Sequence, residues 1–275
     1  MNIVTLPKTS LIVSRFGFGT SSLHHIFYEK DRQKLLNKAL DFGYTHFDTA
    51  RMYGDGMCEK SLGIFFSKVS RDSVTVATKF GIRANSLHER YPVLMYANKI
   101  VKKILPLQGN LDTHIHDFSV ASANESITKS LSSLQTDWID IFFLHEPKAH
   151  HAPEIEKLVD WLLVQKSIGR VKYIGLAGHA SDCVFLQKYF HNLFDVLQIE
   201  DSISGKESNL LLKENLPLQV TYGYLRKYID SSPEKGVNLD AGSILKYGLK
   251  RNKNGMILVS TTKSERLRKM AEICE

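Results

Sequence analysis

Residues 136–178 read TDWIDIFFLHEPKAHHAPEIEKLVDWLLVQKSIGRVKYIGLAG. Two short apolar runs, Ile139–Leu144 and Tyr173–Ala177, bracket a longer segment, Glu154–Lys166, which Pro153 opens as a first-turn proline. Both runs are apolar apart from Asp140 and do not alternate, as strands covered on both faces are. Strand, helix, strand in that order is the repeating unit of a parallel sheet.

The same unit recurs on either side. Further strand candidates are Arg15–Gly19, Thr45–Asp48, Val74–Lys79, Val196–Ile199, Leu218–Tyr222 and Met256–Val259. The clearest helix is Asp31–Phe42, where Leu35, Leu36, Ala39 and Leu40 share one face, Asp31 is expected to cap and Gly43 to terminate. Ser119–Gln135 repeats the plan with Ile127, Leu131 and Leu134. Eight strands, each followed by a helix, imply an α/β fold, the closed (β/α)8 TIM barrel. A barrel takes about 250 residues, so residues 1–275 are expected to form a single domain. Ahead of the first barrel strand, Asn2–Thr5 and Leu11–Ser14 flank residues 6–10 as a hairpin placed to cover the barrel's bottom. One connection is long. Residues 82–118 follow the third strand and carry Arg83, Arg90, Tyr91, Tyr96, Lys99, Lys102 and Lys103. That insertion leaves the strand at the end where barrel active sites lie, so it reads either as a substrate-covering flap or as a solvated insertion.

The composition narrows the classes. Of 275 residues, 43% are hydrophobic and 24% charged, ordinary globular values that exclude disorder and coiled coil. The net charge of +7 is spread without a run of five like charges, so nucleic acid is not an expected partner. Cys58, Cys183 and Cys274 lie far apart, with neither metal nor disulfide spacing. Neither a signal peptide nor a membrane-length apolar stretch is present, and a cytoplasmic location is expected. Two decoys arise. Gly17-Phe18-Gly19 lacks the third glycine of a dinucleotide fingerprint and reads as a tight turn at a strand end. The run Asp112-Thr113-His114-Ile115-His116-Asp117 follows no barrel strand and reads as a surface cluster, as does His150-His151, so no metal is expected.

Polar residues at strand C-termini carry the chemistry. The second strand ends in Asp48, and Tyr53 follows in FDTARMYGDG; the third ends in Lys79 and the fourth reaches His145. All four are expected to face one pocket. A phenol, with a pKa of about 10, is a poor acid at neutral pH, and an adjacent ammonium is expected to lower it. Asp48 would hold Lys79 charged, and His145 would polarise a carbonyl. This is a carbonyl-reducing arrangement with Tyr53 as acid. Because no side chain donates hydride, it calls for a nicotinamide cofactor. Taken singly, each residue also fits a bland role, the lysine reaching solvent and the histidine serving packing.

The chain resembles the aldo-keto reductase superfamily. The matching stretches are GFGT at 17–20, FDTARMYG with EKSLG, VATKFG, SLSSLQTDWIDIFFLH, GRVKYIGLAG, TYGYL at 221–225 and VSTTKSERL. The resemblance implies the barrel, the hairpin and the catalytic tetrad Asp48, Tyr53, Lys79 and His145. For the cofactor it implies Gly19, Thr20, Asp48, Ala177 and Gly178 around the nicotinamide, Gln198 on its carboxamide and Tyr222 stacked on its ring. Gly223 and Leu225 would lie along the pyrophosphate, and Ser260, Thr262 and Arg266 at the adenosine 2′-phosphate. A helix starting near Ser264 would aim its amides at that phosphate, with Lys263, Arg266 and Arg268 adding positive charge, which favours NADP(H).

Two departures follow. Relatives carry Ser-Asn where this chain has Ala177-Gly178, which predicts weaker or altered nicotinamide binding. Many relatives also continue past this chain's last helix with a loop over the substrate. The end of the sixth strand, Gln198-Ile199-Glu200-Asp201, is also unusually acidic. The expected protein is a monomeric or weakly homo-oligomeric NADPH-dependent reductase of a small-molecule carbonyl. The alternatives are a nucleotide-binding accessory protein with little catalysis and a barrel isomerase that uses Lys79 or His145 without nicotinamide.

Overall fold

The computed structural model describes residues 1–91, 93–96, 115–226 and 240–274. Strands β1 (Ile3–Thr5) and β2 (Ile12–Ser14) pair antiparallel, with Ile3 opposite Ser14. Then come β3 (Phe16–Gly19), β4 (His46–Asp48), β5 (Thr75–Phe80), β6 (Ile139–His145), β7 (Val171–Gly178), β8 (Val196–Glu200), β9 (Val220–Tyr222) and β10 (Met256–Val259). These eight are parallel, each bonded to the next, and β10 closes onto β3. All eight expected barrel strands form, with ends shifted by one or two residues.

Alternation along each strand sorts side chains into two layers. Phe18, Phe47, Val76, Phe142, Ile174 and Leu197 pack outward under the helices. Ala77, Ile141, Phe143, Ala177, Val196, Val220 and Met256 fill the barrel, joined by Leu6, Leu11 and Val13 of the hairpin. The hairpin therefore stoppers one mouth. Gln219 Nε2 donates to Pro7 O at 2.7 Å, and Ser10 N donates to Tyr173 Oη at 2.9 Å. Gly17 is part of β3, not a turn, because a Cβ there would lie 2.7 Å from the Leu258 side chain. The glycine makes room inside the barrel.

Helices α1 (Glu29–Asp41), α2 (Met57–Phe66), α3 (Ser86–Arg90) and α4 (Val120–Leu134) follow β3, β4 and β5. Helix α1 begins two residues ahead of Asp31. Glu29, not Asp31, anchors its first turn, accepting from Arg32, Gln33 and Ser61. Gly43, at φ +87°, ends it. Ser119 caps α4, its Oγ accepting from Ser122 N at 3.2 Å. The helix expected over 154–166 is two, α5 (Ala152–Glu156) and α6 (Val159–Ser167). Leu158 N bonds Ile155 O, three residues back, a tight step that leaves both side chains fully buried. Helices α7 (Ala180–Tyr189), α8 (Asn209–Lys213), α9 (Ala241–Arg251) and α10 (Ser264–Glu272) complete the outer layer. No helix among the described residues is long and apolar enough to cross a membrane.

His46 faces the barrel interior and hydrogen-bonds Thr75 Oγ1 at 2.8 Å. Burial pushes its pKa down to about 3, so the folded protein holds it neutral. An unfolded chain protonates this ring near pH 6.5. The stability it contributes is therefore complete above about pH 6.5 and is lost as pH falls towards 3, by at most about 1.4 kcal/mol per pH unit. Urea midpoints measured from pH 7.5 to 4 are expected to fall along this window, and His46→Gln to flatten the decline. An identical decline in both proteins would assign it to other groups.

Candidate active site

Interior parity decides what meets at the open mouth. Gly19, Asp48, Lys79, His145, Ala177, Gln198 and Tyr222 stand at strand C-termini facing inward, and with Tyr53 they line a cavity of about 510 Å³. Lys79, 1% exposed, donates to Asp48 Oδ2 at 2.6 Å and to Thr49 O at 2.8 Å. Its third proton points to Tyr53 Oη at 3.4 Å. The His145 ring stands edge-on to that of Tyr53, centroids 5.8 Å apart. Lysine, phenol and imidazole therefore converge on one point of the cavity floor.

The electrostatics of this cluster differ from expectation. Burial works against both charges of the Asp48–Lys79 pair, pushing the carboxyl up and the ammonium down, and each partner partly offsets the other. The Tyr53 phenol is held well above its ordinary value of 10, first by burial and then by the Asp48 charge. The lowering expected from Lys79 does not prevail, because burial of the phenol, seconded by the Asp48 charge, outweighs it. Tyr53 thus keeps its proton across the physiological range and can surrender it only to a strongly basic oxygen.

The loop carrying Tyr53 is pinned from below. Arg51 pairs with the fully buried Glu59 at 2.7 Å, and Glu59 also accepts from Thr78 and Ser130 at 2.7 Å each. The described part of the 82–118 insertion grips the same loop. Glu89 reaches Arg51 at 2.5 Å, His88 Nδ1 lies 2.9 Å from Asp55, and Asn85 N donates to Asp55 Oδ1 at 2.8 Å. The expected roles of Lys99, Lys102, Lys103 and residues 112–114 lie outside the described residues.

The cofactor positions divide. Gly19, Ala177, Gln198, Tyr222, Gly223, Leu225 and Ser260 line the cavity with the tetrad. Thr20 does not, because its hydroxyl is spent on Asp48 O at 3.0 Å, tying β3 to β4. Gly178, Thr262, Lys263 and Arg266 lie outside the cavity lining. Lys263 and Arg266 are exposed at the start of α10, whereas Arg268 is engaged by Glu272 at 2.9 Å. Sequence reading passed over Ser21, Ser22, Met52, Glu146 and Arg226, which also line the cavity. A usable signal was their position, directly after a strand C-terminus or beside Tyr53.

These residues suit a nicotinamide dinucleotide. Gln198 Oε1 is buried without a partner, an acceptor waiting for an amide donor. Gly223, at φ +97°, leaves the groove wall bare, and a Cβ there would strike Glu200 at 2.8 Å. The Ala177-Gly178 corner offers less. It has no polar side chain, and Ala177 O already accepts from Glu146 N at 2.6 Å. No group of three or more His, Cys, Asp or Glu among the described residues is arranged to hold a metal. His116 instead faces the rings of Phe118 and His151, at 6.0 and 5.4 Å.

Comparison with known proteins gives a consistent result. Residues 15–188 match the model of the Aldo/keto reductase family. A D-threo-aldose 1-dehydrogenase of Pseudomonas sp is 28% identical over 192 residues, 63% of this chain and 53% of that protein. An NADH-specific methylglyoxal reductase of Escherichia coli (strain K12) is 30% identical over 222 residues, 77% of this chain and 63% of that protein. The chain spans about half the length of most of the curated relatives it matches. Among solved structures, an aldo-keto reductase from Bacillus halodurans in its holo form superposes with a TM-score of 0.72 at 19% identity, covering 100% of this chain and 91% of that one.

Proposed function

The chain belongs to the aldo/keto reductase family, and from that premise we propose that it is a nicotinamide-dependent oxidoreductase that reduces an aldehyde or ketone to an alcohol. The observation carrying this reading is the convergence of Tyr53, Lys79 and His145 on the cavity floor. The bound cofactor, NADP(H) in this reading, supplies the hydride. Within the cavity His145 orients and polarises the substrate carbonyl. Tyr53 holds the proton and passes it from Oη to the oxygen as that oxygen becomes basic. Lys79, 3.4 Å from Oη, stabilises the phenolate left behind, and Asp48 keeps the lysine aimed. Residues 1–275 act as one barrel unit, in the cytoplasm, on a small-molecule carbonyl compound. Neither nucleic acid nor membrane takes part, and the barrel works as a monomer or weak homo-oligomer.

Cofactor choice is tested by titrating nucleotide-free protein with NADPH and NADH and reading tyrosine fluorescence. The Lys263 and Arg266 side chains are exposed, and neither makes an ion pair with another described residue. They are therefore available to a 2′-phosphate. NADPH is expected to bind at least tenfold more tightly, and Lys263→Ala with Arg266→Ala to lower NADPH affinity about tenfold or more while sparing NADH. Equal affinities in the parent protein would overturn the NADP(H) assignment. Binding of neither nucleotide would favour the barrel isomerase that uses Lys79 or His145 without nicotinamide, whereas nucleotide binding without reduction would favour the accessory-protein reading, for which the bare Ala177-Gly178 corner is the supporting feature.

A further inference from the structure

The residue directly after His145 is the unexpected member of the cavity. Glu146 sits at φ +51°, a left-handed conformation that a residue with a side chain adopts only under constraint. One contact holds it: Glu146 N donates to Ala177 O at 2.6 Å, although the following Pro147 biases this position towards extended backbone. The facing strand makes room, because a Cβ on Gly178 would lie 3.3 Å from Glu146 Cα and 3.7 Å from Pro147 Cδ. Ala177-Gly178, the pair that departs from Ser-Asn, is thus what the Glu146 turn packs against. The turn is paid for in backbone strain, and it sets a carboxylate on the cavity wall.

That carboxylate differs from the other charges there. Asp48 is paired with Lys79, and Arg226 reaches Glu200. Among the described residues Glu146 has no ion pair and no side-chain hydrogen bond, and it is half-buried on the lining. Its charge acts on the working groups, adding to burial in raising the phenols of Tyr53 and Tyr222 and supporting the Lys79 ammonium. Among the described lining residues Glu146 is the one charge without an ion-pair partner, and it directly follows the carbonyl-polarising histidine.

We propose that Glu146 is a specificity-determining residue that selects carbonyl substrates carrying a cationic group and rejects those carrying a carboxylate or phosphate. This rests on reading the cavity as a carbonyl-substrate site. A substrate ammonium beside Glu146 supplies the missing counter-charge, whereas an anionic substituent brings two like charges together in a half-desolvated space.

The test uses three small aldehydes of different charge: betaine aldehyde, glycolaldehyde and glyoxylate. The corresponding alcohols, choline, ethylene glycol and glycolate, are followed by saturation-transfer NMR on the same protein, a binding readout that needs no turnover. The parent enzyme is expected to prefer betaine aldehyde to glyoxylate in kcat/KM, mainly through KM. Glu146→Gln is expected to lower that ratio about a hundredfold, tenfold from each side. Glu146→Asn, which tolerates the left-handed backbone, should do the same, and Glu146→Asp should keep the sign of the preference. A parent preference for glyoxylate, or a ratio that moves less than threefold in both neutral variants, would overturn the proposal. Choline binding in preference to glycolate, lost in Glu146→Gln, with none of the aldehydes reduced, would sustain the charge selection and overturn the reductase reading instead.

Discussion

Tyr53→Phe is expected to lower carbonyl reduction by a factor on the order of 10²–10⁴, the usual contribution of a positioned general acid, while NADPH affinity changes less than about threefold. The substitution removes one oxygen atom. Tyr53 Oη is the lysine's weakest partner, at 3.4 Å, so Asp48 and Thr49 O still hold Lys79 when it is gone. The ring still packs edge-on against His145, which preserves the shape of the floor. The loss should therefore appear in kcat rather than in folding or nucleotide binding. Because the phenol lies well above 10, the parent enzyme's reduction rate should also show no decline from tyrosine deprotonation up to at least pH 9. Reduction at the parent rate in Tyr53→Phe would remove this tyrosine from the mechanism.

Lys79→Met is expected to be the more damaging change, because it strikes stability and chemistry together. Lys79 and Asp48 are 1% and 3% exposed, so water cannot replace the lost partner. Removing one member of a buried pair costs about 3–5 kcal/mol, a fall in Tm on the order of 10 °C for a chain of this size. The remaining carboxyl, already pushed up by burial, would take a proton to escape its isolation. Activity should fall at least as far as in Tyr53→Phe, since nothing then stabilises the phenolate. The double variant Asp48→Asn, Lys79→Met separates the two effects. It should recover most of the Tm and none of the activity. Recovery of neither would mean that the lysine's hydrogen bond to Thr49 O, rather than its charge balance with Asp48, supports the floor.

The sequence alone determined the layout. Short, largely apolar runs bounded by turn residues read as strands covered on both faces, and eight of them separated by amphipathic segments point to the closed parallel barrel. The period-2 rule then carried further than secondary structure. Lys79 shares the parity of Ala77 on its strand and His145 that of Ile141 and Phe143 on its own, and Asp48 ends the neighbouring strand, so their meeting at one mouth was legible from spacing. The helix signals at Ser119 and Gly43 were equally local, since a cap or a left-handed terminator acts within a few residues.

What depended on distant segments could not be read that way. Thr20 sits in a stretch whose resemblance implies cofactor contact, yet its hydroxyl is taken by the Asp48 carbonyl 28 residues along the chain. The direction of the Tyr53 shift follows first from burial and then from the nearby Asp48 charge, neither of which a list of sequence neighbours contains. Glu146 reads in sequence as an ordinary loop acid after a strand. Only its bond to Ala177 O, together with the absence of a side chain on Gly178, turns it onto the cavity wall. The physical division is one of range. Periodicity and capping are set within a turn or a strand, whereas desolvation and charge balance are sums over whatever the fold brings within a few ångströms.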